Sequence, residues 1–269
     1  MRRPGTIVGV ALVALLAAVA LLGPLLTPYA PDAQDLDRAL FAPSRAHPLG
    51  TDENGCDLLS QLAHGLRLDL SLAALVVCVS LLVGLAVGAT AGFLGGLVDE
   101  ALMRLVDVLL SFPGILLNLA ILAAVGRPSL GHLVFALCLN GWVGYARVAR
   151  GQALALRERE FVLSARALGI AEMRILLRHV APNLLGPLLV QASFGFAGVV
   201  LIEASLSFLG LGPPHGYTLG ALMNQGATHL WLTHRLASVP GAAIAIIVLG
   251  FNLLGDALRD RFDPRLAGR

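Results

Sequence analysis

Six stretches of the chain are rich in apolar residues and almost free of charge, and polar segments separate them. They cover residues 7–26, 70–98, 101–125, 130–145, 180–202 and 239–254. Runs of this kind are read as membrane-spanning helices, because a helix satisfies its own backbone hydrogen bonds in lipid. The pattern therefore predicts an all-α, polytopic membrane protein with six transmembrane helices. Pro24, Pro28 and Pro31 occupy the place where a cleaved leader would carry small residues. The first run is thus expected to stay as a span.

Several positions inside the runs predict how they pack. Gly84, Gly88 and Gly92 recur every four residues, the spacing that lets two helices approach closely. Pro113, followed by Gly114, is expected to kink the third span, which makes it a possible gating point. Arg104 and Asp107 are spaced for a local ion pair. Trp142 and Tyr145 are expected as anchors at the interface between lipid and water. Glu203 is a carboxylate at the far end of the fifth span, and such a group is a candidate for the pathway or for a structural role. Residues 216–235 are polar enough for an outer loop or a half-buried helix.

Between the fourth and fifth runs lies the longest charged segment after the N-terminal third, residues 157–183. Phe161, Ala165 and Leu168, then Met173, Leu176, Leu177 and Val180, recur at three- and four-residue spacing. Each half therefore reads as a short amphipathic helix. Gly169 falls where a helix C-terminus uses glycine, and Pro182 is expected to stop the second half. An ordinary basic cytoplasmic loop would share this periodicity.

Composition narrows the chemistry. The chain is 57% hydrophobic and 13% charged, too apolar for a soluble domain. Its 19 basic residues are all Arg, so no Walker A lysine exists and any driving ATPase is another polypeptide. Cys56, Cys78 and Cys138 are too scattered for a redox or metal motif, and the latter two are expected as small core residues. His47, Asp52 and His64 match no standard ligand spacing, so no metal and no other cofactor is expected on this chain. Catalytic signatures such as H-E-x-x-H and G-x-S-x-G are missing. An intramembrane enzyme is disfavoured on that ground, and an ion-coupled carrier by the scarcity of ionisable groups within the runs. A passive channel subunit would not need the amphipathic segment. With the N-terminus inside, fourteen Arg fall on the cytoplasmic side and five outside, which places both termini and residues 157–183 in the cytoplasm.

The motifs resemble one family. Ser164-Ala165, then Gly169 and Pro182, is similar to the coupling loop of ABC importer permeases, with Leu163 where that loop usually has Glu. Arg104 to Asp107, Ser111 to Gly114, Glu203 to Gly212 and Phe251 to Asp260 resemble the C-type permease of the dipeptide, oligopeptide and nickel branch. So does His47 to Ser60, with Cys56 in place of the usual Arg. The resemblance implies a type I ABC transmembrane domain over residues 67–256. Residues 1–66 precede it as a first helix and outer loop, and 257–269 follow as a cytoplasmic tail. It also implies a coupling loop at 151–183, in which Glu160, Phe161, Ser164, Ala165, Arg166, Leu168, Gly169 and Pro182 meet the ATPase. The implied partners are a second permease, one or two ATPase subunits that bind ATP and Mg, and an extracytoplasmic substrate-binding protein. No nucleic acid is implied. The implied location is a bacterial or archaeal plasma membrane, and the implied cargo is a di- or oligopeptide, with nickel or a nickel chelate as the alternative.

Overall fold

The computed structural model describes residues 4–214 and 216–262. The expected features at Arg2, Arg3, Asp263, Pro264, Arg265 and Arg269 lie outside them. Among the described residues the structure is helical, with no β-strand beyond one isolated bridge, Thr51 to Asp57. Its helices are α1 (Pro4–Leu26), α2 (Leu58–Leu94), α3 (Gly96–Leu110), α4 (Gly114–Val125), α5 (Leu130–Arg157), α6 (Glu160–Ala167), α7 (Glu172–Ile175), α8 (Ala181–Phe208), α9 (Leu219–Thr228) and α10 (Arg235–Phe262).

Among the described residues, four helices are long and apolar enough to cross a membrane: Gly5–Leu26, Leu58–Leu94, Glu172–Phe208 and Arg235–Phe262. Helices α3 and α4 supply a fifth if taken as one broken span, bent by 76°. The remaining expected span lies in α5, which is 28 residues long but carries His132, Asn140, Arg147 and Arg150. The layout is consistent with six spans.

Helices α2 and α5 form the spine. Both lack proline, whereas α1, α8 and α10 each hold one inside: Pro24, Pro187 and Pro240. The glycine stripe behaves as its spacing predicts. A Cβ at Gly88 would lie 2.7 Å from the Ala149 Cβ, and one at Gly92 would lie 2.5 Å from the Arg150 carbonyl oxygen. Only bare backbone lets α5 sit this close. Three further facts correct the sequence reading. Trp142 and Tyr145 are buried at this seam, because Gly84 leaves room for them, and are not interface anchors. Cys78 is exposed and Cys138 half-buried, while Cys56 is the buried thiol. Arg104 pairs with Glu100 on its own helix at 3.1 Å, and Asp107 reaches across to Arg147 on α5 at 2.7 Å.

The second long helix starts earlier than its apolar run. Asp57 accepts from the Ser60 amide at 2.8 Å and caps α2, so His64, Arg67 and Asp69 are helical rather than loop residues. The other face of the core joins α1, α2, α8 and α10 through Leu16, Ala73, Val200 and Ile247. At Pro113 the chain does more than kink. Helix α3 ends at Leu110 and α4 restarts at Gly114, with Pro113 in the turn between them.

Candidate functional site: the α6–α7 hairpin

The charged segment folds as two short helices joined at a glycine. Gly169 has φ +76°, the left-handed region that glycine reaches without a Cβ penalty. The Ile170 amide donates to the Ala165 carbonyl at 3.1 Å and the Gly169 amide to that of Arg166 at 2.9 Å. Those two bonds are the Schellman closure of a helix C-terminus. The expected C-cap is therefore present, and its sequence signal was the glycine alone.

The hairpin has an inner and an outer face. Val162, Ala165, Ile175, Leu176 and Val180 are buried together with Phe93 of α2, Ala149 and Ala153 of α5 and Leu184 of α8. Burying these side chains seats α6 on the ends of three long helices. Ala165 thus packs inward on this chain's own core, and only its neighbours face out. Phe161 is 44% exposed, Leu163 46% and Leu168 80%. Glu160, Ser164 and Gly169 are exposed beside them. Phe161 and Leu163, two positions apart on α6, point to opposite flanks of its exposed side, and Leu168 follows at the end of the helix, so apolar surface is left open on each.

Arg166 is the residue whose role periodicity missed. It forks onto Glu172 across the turn at 2.8 and 3.0 Å, and its guanidinium lies 5.2 Å from the centre of the Phe93 ring. The Glu172 carboxylate raises the Arg166 pKa, so the guanidinium stays charged at every accessible pH. The two residues are six apart, beyond the reach of one helix; only the Gly169 turn brings them together. A second bidentate pair, Arg150 with Asp99 at 2.5 and 2.7 Å, braces α5 against α3 nearby.

Pro182 does not stop the second half. Helix α7 continues into α8 through a widened π turn at Leu176–Val180. A proline ring would strike the carbonyl four residues earlier in a regular helix, and the wider turn relieves that conflict. Asn183 Nδ2 donates to the His179 carbonyl at 2.6 Å in the same turn. Pro113 and Glu203 stand apart from the hairpin. Pro113 lies at the α3–α4 break, and Glu203 is 1% exposed, accepting from the Ser207 hydroxyl at 2.6 Å. His47, Asp52 and His64 are not gathered either: His47 bonds Asp57, Asp52 holds Gln61, and His64 bonds the Ser60 carbonyl.

Comparison with known proteins decides what this architecture is. Residues 84–268 match the family described as the binding-protein-dependent transport system inner membrane component. The chain belongs to that family. Residues 1–43 of the permease also match the N-terminal TM domain of oligopeptide transport permease C. It is 35% identical over 267 residues to the probable D,D-dipeptide transport system permease protein DdpC of Escherichia coli strain K12, covering 99% of this chain and 89% of that protein. It is 37% identical over 258 residues to the nickel transport system permease protein NikC of the same strain, covering 95% and 92%. The dipeptide transport system permease protein DppC of Alkalihalophilus pseudofirmus is 35% identical, covering 97% and 86%. Among solved structures, the inward facing MetNI methionine ABC transporter overlays with a TM-score of 0.62 at 19% identity, covering 76% of this chain and 97% of that one. This likeness shows the type I permease fold.

Proposed function

We propose that the permease forms the translocation pathway of an importer together with a second permease subunit, and that the α6–α7 hairpin receives the push of a separate ATPase. One observation carries this reading. The hairpin is anchored inward by Val162 and Ala165 and presents Phe161, Leu163 and Leu168 outward. A short helix seated by one face, with large apolar side chains left exposed on its outer side, fits a hydrophobic groove on a partner. ATP and Mg belong to that partner. The substrate-binding protein delivers cargo on the opposite side, and both termini lie with the hairpin in the cytoplasm. Residues 67–256 act as the transport domain, 1–66 as its preceding helix and outer loop, and 257–269 as its tail.

Di- or oligopeptide is the cargo we favour, on the dipeptide names among the relatives. The 37% identity to a nickel permease supports nickel or a nickel chelate as the second reading. The test is co-purification from membranes, then ATP hydrolysis by the assembly with the matching binding protein. Peptide-stimulated turnover supports the first reading, and nickel-stimulated turnover supports the second. A chain that purifies with no ATPase defeats both.

A further inference from the structure

Two carboxylates are buried toward the end of the bundle away from the hairpin. Asp69 on α2 and Glu203 on α8 are each 1% exposed. They meet at the start of α9. Asp69 Oδ2 accepts from the Leu219 amide at 2.9 Å, one of the donors that a helix start leaves unpaired. Gly220, the next residue, packs on the backbone of Ala204, beside Glu203; a Cβ there would lie 2.7 Å from the Ala204 Cα. Glu203 is close enough to act on Asp69. Each acid has one oxygen occupied and one left over. Glu203 Oε1 accepts from the Ser207 hydroxyl at 2.6 Å, as Asp69 Oδ2 does from Leu219. Asp69 Oδ1 and Glu203 Oε2 are closed off from water and lack a donor among the described residues. The Thr218 hydroxyl stands beside Glu203 but makes no hydrogen bond of ordinary geometry to Oε2.

No cation balances the pair. Helices α1 and α9 carry no ionisable side chain, and Glu203 is the only one on α8. Arg235 at the start of α10 is turned onto the carbonyls of Leu40, Phe41 and Thr51. On α2 itself, Arg67 is exposed and His64 bonds the Ser60 carbonyl. The arginines of α5 pair with other acids. Two buried negative charges with no counter-ion are far too costly to persist. A proton removes one of them and gives the unused oxygens a bond, which is how neighbouring buried carboxylates settle. Two free oxygens are too few for a calcium or magnesium ion. We infer that Asp69 and Glu203 form a proton site. One carboxyl keeps its hydrogen and donates it to the free oxygen of the other, and this bond ties α2 to α8 over the first turn of α9. The charge-assisted bond is strong because water is excluded from it.

The test is infrared spectroscopy of the full-length chain in detergent at neutral pH. A protonated carboxyl absorbs in a carbonyl region clear of carboxylate and amide bands. Asp69→Asn keeps an oxygen for the Leu219 amide and offers an N–H to Glu203, and Glu203→Gln offers an N–H to Asp69. Subtracting each variant from the native chain is expected to reveal one protonated-carboxyl band, lost or displaced in both. Melting temperatures should stay close to native, because the amide supplies the missing hydrogen. Ser207→Ala removes the hydroxyl donor to Glu203 and leaves both acids in place. It is expected to displace the same band, and it decides the matter if either amide variant fails to insert. A native chain without the band overturns the site. A band that responds to only one of the two amide substitutions belongs to a lone acid and overturns the sharing. A native melting temperature raised by NaCl over choline chloride at equal ionic strength, and no longer raised in Asp69→Asn, puts a metal cation in place of the proton and overturns it as well.

Discussion

Replacing Gly88 by Ala is a small chemical change with a sign that the helix seam determines. On an open helix face the substitution stabilises, since Ala is about 1 kcal/mol better than Gly in a helix interior. At Gly88 the new Cβ would lie 2.7 Å from that of Ala149, where ordinary contact starts at 3.4 Å, and it would overlap the Ala146 carbonyl. The deficit of about 0.7 Å cannot be relieved by a rotamer, because the obstacle is backbone and a methyl group without freedom. Gly84 and Gly92 hold the same two helices one turn away on either side, so local separation strains both neighbours. Overpacking costs about 1–3 kcal/mol, and a backbone obstacle belongs at the upper end. The net loss is then about 2 kcal/mol, or about 4–8 °C in melting temperature for a chain of this size. Gly151→Ala on α5 is the control, since nothing lies within 4 Å of its Cβ position. Thermal denaturation of the purified chain in detergent should show Gly88→Ala falling and Gly151→Ala rising. Equal shifts of the same sign would refute the close approach of α2 and α5.

Other consequences follow from the hairpin and from the segment that precedes α2. Gly169→Trp forces a side chain into φ +76° and disturbs the Schellman turn; insertion should survive while substrate-stimulated ATP hydrolysis is lost. Gly169→Asn, which tolerates that backbone region better, should retain more of the stimulation. Leu168→Asp puts a charge on the most exposed large apolar residue of the hairpin and should abolish co-purification of the ATPase without changing the melting temperature of the isolated chain. The Cys56 thiol is pushed up to about 11 by burial and by the neighbouring Asp52. Its thiolate fraction should therefore rise about tenfold per pH step up to that value, and mass spectrometry should show maleimide labelling of Cys56 near-absent at pH 7 and growing as pH rises.

What the sequence made legible was mainly what repeats along it. Apolar runs located the helices, four-residue glycine spacing located the seam, and Gly169 located the turn. Residues whose partners lie far along the chain were harder. Trp142 and Tyr145 look like belt residues until the glycine stripe of α2 is placed opposite them. Asp69 reads as the last polar residue of a loop, yet its partner is an amide 150 positions later. Arg166 and Glu172 meet only because of a left-handed turn, and Pro182 passes through a helix only because of a π turn. Neither geometry has a period that could be read beforehand. The inward-facing Ala165 shows the same limit, since spacing marks a helix face but not the surface against which it packs.

The break at Pro113 bears on how the protein is made. Helices α3 and α4 have 15 and 12 residues, about 22 Å and 18 Å at 1.5 Å per residue. A hydrocarbon core is about 30 Å thick, so neither half can cross it by itself. During biogenesis, Leu122 of α4 gains its contacts with Leu133 and Leu137 only when α5, which is synthesised after it, arrives. The broken pair therefore crosses as one unit, and the face that Leu122 presents is covered only by the helix that follows it.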